Sequence, residues 1–276
     1  MTELTPAGQE ASRLSSPAVL GTGSTTRTRW LTVALLGWVG FAVLAMWMWQ
    51  SGDPTTVDNA VLAAMVMLRT PVLNGAAVIL TDLGSYRVVI VVTAALAGFL
   101  LWRRRDLLLP LVLVITVVET SSIVYLTKEV VGRTRPPVIS LVGPPALDPS
   151  FPSGHTTSGT VVWVLGALLV ASTLSQRWAR RLVVATGLSI AVVIGLTRAY
   201  LGYHWTSDVL GGWLLATAIC TTAIYLAVRL RPHTDRLSVT PDLRSGCGGR
   251  PLLQARGSDV TRRRPPTGGP GSTVRR

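Results

Sequence analysis

Six stretches of the chain are apolar for long enough to cross a bilayer, and polar breaks separate them. They are WLTVALLGWVGFAVLAMWMW from residue 30, VVIVVTAALAGFLLW from 88, LLLPLVLVITVVETSSIVYL from 107, TVVWVLGALLVAST from 160, LVVATGLSIAVVIGL from 182 and VLGGWLLATAICTTAIYLAV from 209. A helical span needs about 20 mostly apolar residues for a hydrocarbon core of about 30 Å. With their mildly polar flanks, all six reach that length. Residues 57–83 break the pattern: VDNAVLAAMVML is apolar but short, and Arg69, Pro71, Asn74 and Asp82 interrupt the residues after it. This stretch predicts an interfacial or partly inserted helical hairpin rather than a full span. The predicted fold class is all-α: a polytopic membrane protein, a six-transmembrane-helix bundle with an interfacial helical segment after the first span.

Composition agrees with that pattern. The chain is 49% hydrophobic and only 14% charged, with a mean hydropathy of +0.46, which is too apolar for an ordinary soluble domain. Three parts are expected: a polar leader over 1–29, a membrane domain over 30–230 and a tail over 231–276. The first span is too long for a cleavable signal peptide, and no small-x-small cleavage site stands after it. The tail holds ten arginines and three aspartates among many Gly, Pro and Ser. It cannot bury a core, so it is expected to be disordered. Its charge suits anionic lipid headgroups. Without aromatic interleaving or a binding fold, it does not read as a nucleic-acid partner. Cys220 and Cys247 do not make a disulfide framework.

Charge also sets an expected topology. Arginines cluster at 27 and 29, at 103–105, at 177–181 and from 229 onward. The positive-inside rule puts these regions and both termini in the cytoplasm, leaving 51–87, 132–155 and 199–208 outside. Six cations stand on that outer side against the rule: Arg69, Arg87, Lys128, Arg133, Arg135 and Arg198. Lys128 is also the single lysine beside 25 arginines. Taken one at a time, each reads as a cation snorkelling at a helix end.

Taken together, three outer segments carry polar residues that packing does not explain. They are KEVVGRTRPP from Lys128, PSGH at 152–155 and TRAYLGYHWTSD from 197. Lys128, Arg135 and Arg198 offer three cations, and Arg suits bidentate contact with phosphate oxygens. Ser153 and Gly154 precede an apolar helix whose first N–H groups and dipole form an anion site. His204 and Asp208 are four apart, which in a helical turn puts them on one face. Asp208 can then accept from Nδ1–H of His204 and leave Nε2 as a nucleophile. His155, in the anion site, can protonate a leaving oxygen. This is a phosphoryl-transfer set that requires no metal ligand and no cofactor.

The order Lys-x6-Arg-Pro, Pro-Ser-Gly-His, then a hydroxyl residue with Arg-x5-His-x3-Asp resembles the signature of the type 2 phosphatidic acid phosphatase superfamily. That family includes bacterial undecaprenyl diphosphate and phosphatidylglycerophosphate phosphatases, and the resemblance runs from about residue 30 to 230. It implies that Lys128, Arg135, Arg198, Ser153 and Gly154 bind the phosphate. It further implies that His204 becomes a phosphohistidine, that Asp208 orients it, and that His155 protonates the leaving group. The family's usual Ser before the arginine is Thr197 here, and both carry a hydroxyl. TDLGS at 81–85 also looks like what bacterial members carry; it is read as a turn, with Thr81 or Asp82 at most shaping an entrance. Glu119, inside the third span and about 13 Å from Lys128 along a helix, is given a structural role, protonated and hydrogen-bonded to a neighbouring helix. The implied partners are a membrane lipid phosphate and the bilayer, with the active site extracytoplasmic; no oligomeric state is assigned. Three alternatives stay open: a lipid phosphotransferase using the same phosphohistidine, a non-catalytic membrane scaffold, and a vanadate-dependent haloperoxidase, which six spans count against.

Overall fold

The structure, a computed structural model, describes residues 24–230. The expected leader lies almost wholly outside them, and the expected tail lies outside them entirely. Eight helices run in order: α1 Ser24–Ser51, α2 Thr56–Met67, α3 Pro71–Thr81, α4 Tyr86–Arg104, α5 Leu108–Val131, α6 Gly154–Ala171, α7 Arg177–Tyr200 and α8 Thr206–Leu230. There is no strand among the described residues. All but α2 and α3 are long and apolar enough to cross a membrane, as the hydrophobic pattern predicts. The exterior is apolar where lipid belongs: Leu36 is 67% exposed and Val118 61%.

Each short helix has a local reason to start where it does. Thr55 and Asp58 form a capping box at the head of α2, each side chain accepting from the other's backbone N–H. Thr70 caps α3 and Pro71 fills its first turn. The two therefore make the hairpin expected from 57–83, and α3 packs on α7. Arg69, between them, is not snorkelling. Its guanidinium donates to Tyr200 O at 2.7 Å and Ser140 O at 2.8 Å, fastening the hairpin to the end of α7 and to the connection between α5 and α6.

Helices α6 and α8 are the most enclosed spans. Phe151, Val161, Val162, Leu165 and Leu169 meet Leu215, Ile219 and Ile224 in a core that α1 and α5 close with Phe41, Met48, Leu109 and Leu113. Helix α1 lies along α8: Trp38 donates to Thr222 Oγ1 at 3.2 Å, and Gly37 brings the backbones close at Ala218. A π-helical turn over Val161–Leu165 interrupts α6. Glu119 departs from its expected place. It is exposed on α5, without a hydrogen bond to a neighbouring helix, in a groove shared with Trp38, Thr116 and Thr222.

The connections at one end of the bundle build the site. Residues 132–153 run between α5 and α6, and a tight turn over 201–205 joins α7 to α8. Gly202 makes that turn possible, with φ +77° and a pro-Cβ position only 2.1 Å from Ser140 O.

Candidate active site

Asp208 sits in the first turn of α8 and is wholly buried. Its side chain accepts from the backbone N–H of Trp205 at 2.9 Å, so the residue caps the helix while its carboxylate meets the site. Oδ2 also accepts from Ser150 Oγ, and Oδ1 pairs with Arg133 Nη1 at 2.6 Å. His204 lies in the turn before α8, not on the helix, so its pairing with Asp208 is not the helical i,i+4 face expected from the spacing. The turn still brings His204 Nδ1 within 3.4 Å of Asp208 Oδ2 and 3.4 Å of Ser150 Oγ. On the other side of the ring, Nε2 lies 3.3 Å from Arg135 Nη1. Partners that accept at Nδ1 and donate at Nε2 select the tautomer with its proton on Nδ1.

His204 is 3% exposed. Burial, then the charges of Arg198, Arg135 and Lys128, push its pKa well below the ordinary histidine value. The ring is therefore neutral at neutral pH. The unfolded chain takes up a proton near pH 6.5 that the native ring refuses, so native stability is full above that pH and drains away as the pH falls. Thermal unfolding in detergent between pH 7.5 and 5.5 is expected to show this decline, and His204→Asn to make it shallower. An equally steep decline in the variant would assign the proton to another group.

Helix α6 opens at Gly154 with Ser153 as its cap. Ser153 Oγ accepts from Thr156 N–H at 3.4 Å and from Thr156 Oγ1 at 2.9 Å, and its own N–H goes to Asp208 O at 3.1 Å. Ser153 is thus engaged within the protein. The N–H groups of Gly154 and His155 have no intramolecular acceptor among the described residues, and such groups at a helix N-terminus favour an anion. TDLGS does more than turn the chain. Thr81 Oγ1 accepts from Arg198 at 3.3 Å, and Leu83 O accepts from Trp163 Nε1 at 2.9 Å. Gly84 presses on the backbone of His155, where an added Cβ would lie 2.8 Å from its carbonyl oxygen.

The three expected cations converge here. Lys128, 7% exposed, ends α5 and donates to Pro149 O. Arg135 donates to Tyr203 O at 2.6 Å. Arg198 stacks over the Tyr203 ring at 4.0 Å, and its buried Nε has no partner. Lys128, Arg135 and Arg198 all act electrostatically on both His155 and His204. All eight residues singled out in the sequence therefore meet at one end of the bundle.

Four further residues were not singled out for this chemistry. Arg133, read as a snorkelling cation, is fully buried and pairs with Asp208 at 2.6 Å and with Asp58 Oδ2 at 2.8 Å. Asp58 in turn accepts from Ser207 N–H at 2.9 Å and from Ser207 Oγ at 2.7 Å. Burial alone would raise the Asp58 carboxyl, but the Ser207 hydroxyl and N–H, then Arg133, hold it below the usual carboxylate value. Ser150 bonds Asp208, and its own N–H goes to Arg133 O at 2.8 Å. Asp148 pairs with both Lys128 and Arg135. The available signals were the breach of the positive-inside rule by the cations expected outside, and a lone acid in the short apolar α2.

A neutral buried imidazole, an orienting carboxylate, a second histidine at a helix N-terminus and three cations can together transfer a phosphoryl group. Comparisons with known proteins point the same way. Residues 107–232 match the model of the PAP2 superfamily. Phosphatidylglycerophosphatase B of Bacillus subtilis is 32% identical over 58% of this chain and 78% of its own length. An undecaprenyl-diphosphatase of Sulfolobus acidocaldarius is 33% identical over 56% of this chain and 70% of its own. The crystal structure of a transmembrane PAP2-type phosphatidylglycerolphosphate phosphatase from Bacillus subtilis superposes with a TM-score of 0.66 at 23% identity, covering 72% of this chain and 98% of that one. With a shared membrane-helix architecture and relatives alike over most of their length, this multi-pass membrane protein belongs to the PAP2 superfamily.

Proposed function

We propose that the chain removes a phosphate from an amphipathic lipid at the extracytoplasmic face of the membrane, through a phosphohistidine on His204. The relatives are phosphatases, and the chain is a phosphatase of the same superfamily. Its substrate class is a lipid phosphate, such as a phosphatidylglycerophosphate or a polyprenyl diphosphate, since the relatives are named for these two. The observation that carries the reading is the setting of His204, with Asp208 and Ser150 at Nδ1 and Arg135 at Nε2.

The reaction runs in two displacements. Nε2 of His204 attacks phosphorus, and the bond from phosphorus to the lipid oxygen breaks. The entering phosphate dianion offsets the cations around His155, which takes up a proton from solvent and gives it to that oxygen, and Asp208 steadies the positive imidazole ring of His204. Water then attacks phosphorus, His155 takes the proton back, and the P–N bond breaks to release phosphate. Lys128, Arg135, Arg198 and the N–H groups of Gly154 and His155 hold the phosphate oxygens throughout. No step calls on a metal ion. The sidedness rests on charge: Arg103–Arg105 and Arg177–Arg181 flank the connections at the opposite end of the bundle.

Purified protein given labelled phosphatidic acid, phosphatidylglycerophosphate or polyprenyl diphosphate in EDTA, and quenched in alkali, is expected to carry label on the chain as an alkali-stable phosphohistidine. Phosphate release stopped by EDTA, or release without a trapped adduct, would overturn the mechanism. Label passed to an added lipid alcohol in place of water would make the enzyme a phosphotransferase.

A further inference from the structure

Asp148 occupies the candidate phosphate pocket in the manner of a ligand. Its Oδ2 lies 2.9 Å from Lys128 Nζ and its Oδ1 2.9 Å from Arg135 Nη2, one carboxylate oxygen for each cation. The cations belong to the pocket wall, with side chains only 8% and 15% exposed. Each is also fixed by a carbonyl, Pro149 O for Lys128 and Tyr203 O for Arg135. The Asp148 side chain is the part with room to move: it is 55% exposed and stands on an irregular stretch after the short helical turn Val138–Ser140, while its backbone carbonyl accepts from Arg135 Nε at 2.8 Å. Burial alone would raise its carboxyl, but the hydrogen bond and charge of Lys128, then Arg135, hold it at about 2, so it remains an anion at any working pH.

We infer that Asp148 is a specificity-determining residue, a resident carboxylate that screens the pocket against phosphodiester headgroups and yields to a terminal phosphate. The inference rests on the phosphate-pocket reading above. A phosphodiester brings one negative charge and two unesterified oxygens, the same as the carboxylate it must displace. It gains nothing in the exchange, and Asp148 has the advantage of being tethered beside the cations. A terminal phosphate brings close to two charges and three free oxygens. The third oxygen has a place to go, because Arg198 makes no ion pair with Asp148 among the described residues and its buried Nε is unpartnered. A pocket of three cations facing a bilayer would otherwise fill with the phosphodiester headgroups of bulk lipid.

Isothermal titration of the detergent-solubilised full chain with inorganic phosphate and with dimethyl phosphate at pH 8 tests this. The unaltered protein is expected to bind dimethyl phosphate at least tenfold more weakly than phosphate. Asp148→Asn, a change at a half-exposed position, is expected to tighten dimethyl phosphate at least fivefold, and by a larger factor than phosphate. Unchanged or weaker binding of both probes would overturn the inference and leave Asp148 as a brace for its cations. Arg135→Ala separates the two ideas. If that variant binds phosphate as well as the unaltered protein, the phosphate-pocket reading itself fails, whatever Asp148→Asn does.

Discussion

Replacing His204 by alanine is expected to lower phosphate release by about 10⁴-fold or more for every substrate, since losing a covalent nucleophile removes the pathway rather than slowing it. His155→Ala should behave differently, and the difference is diagnostic. A lipid alkoxide is a poor leaving group that needs a proton, so the loss should be about 10²–10⁴-fold with a lipid phosphate. Nitrophenolate leaves without one. With p-nitrophenyl phosphate, His155→Ala should still form the phosphoenzyme, releasing a burst of nitrophenolate equal to the enzyme present. Slow turnover should come after it, because the water step also uses His155. Stopped-flow absorbance reads both phases. A burst from His204→Ala, or none from His155→Ala, would reverse or remove the assigned roles.

The second large effect lies at Arg133, which no substrate needs to touch. Arg133→Leu is expected to cost about 3–5 kcal/mol of stability, because it leaves the buried carboxylates of Asp58 and Asp208 without their shared cation. Arg133→Lys should recover only part of this, since a single ammonium cannot reproduce a fork that reaches Asp58 with one nitrogen and Asp208 with the other. Arg133→Leu/Asp58→Asn should regain stability but little activity, as Asp208 still lacks the partner at Oδ1. Thermal unfolding in detergent, with turnover measured beside it, separates these outcomes. A Leu variant as stable as the parent would mean that the buried triad contributes nothing.

The six spans were legible because crossing a bilayer demands a length of apolar chain that little else requires, and the hairpin at 57–83 was legible as the stretch that falls short. The three motif segments were legible because His155, His204 and the cations have no packing role at a membrane surface. The pairing of His204 with Asp208 was read as a helical face, whereas the chain turns at Gly202 and begins α8 only at Thr206. A spacing of four suggests that two side chains are close without saying which backbone delivers them. Asp58, Arg133, Asp148 and Ser150 were missed for a different reason. Arg133 meets Asp208 across 75 positions, and hydrophobic periodicity carries no register for contacts of that range. An inventory of the cations against the acids at this end of the bundle would have raised the question, since three of those cations prove to be matched by Asp58, Asp148 and Asp208.

His204 stands just before α8, the last helix among the described residues, and Asp208 in its first turn, which has a consequence for how the enzyme is made. On the mechanism proposed above, a nascent chain that extends only through α7 holds His155 and the three cations but not yet the nucleophile. The nascent chain is therefore chemically silent toward the lipids around it. When α8 arrives, it brings an acid that is costly in a span and meets Arg133, which already waits for it with Asp58. On that mechanism one insertion event completes the ion pairs of Arg133 and supplies the nucleophile together, so that activity would report that the eight described helices have assembled.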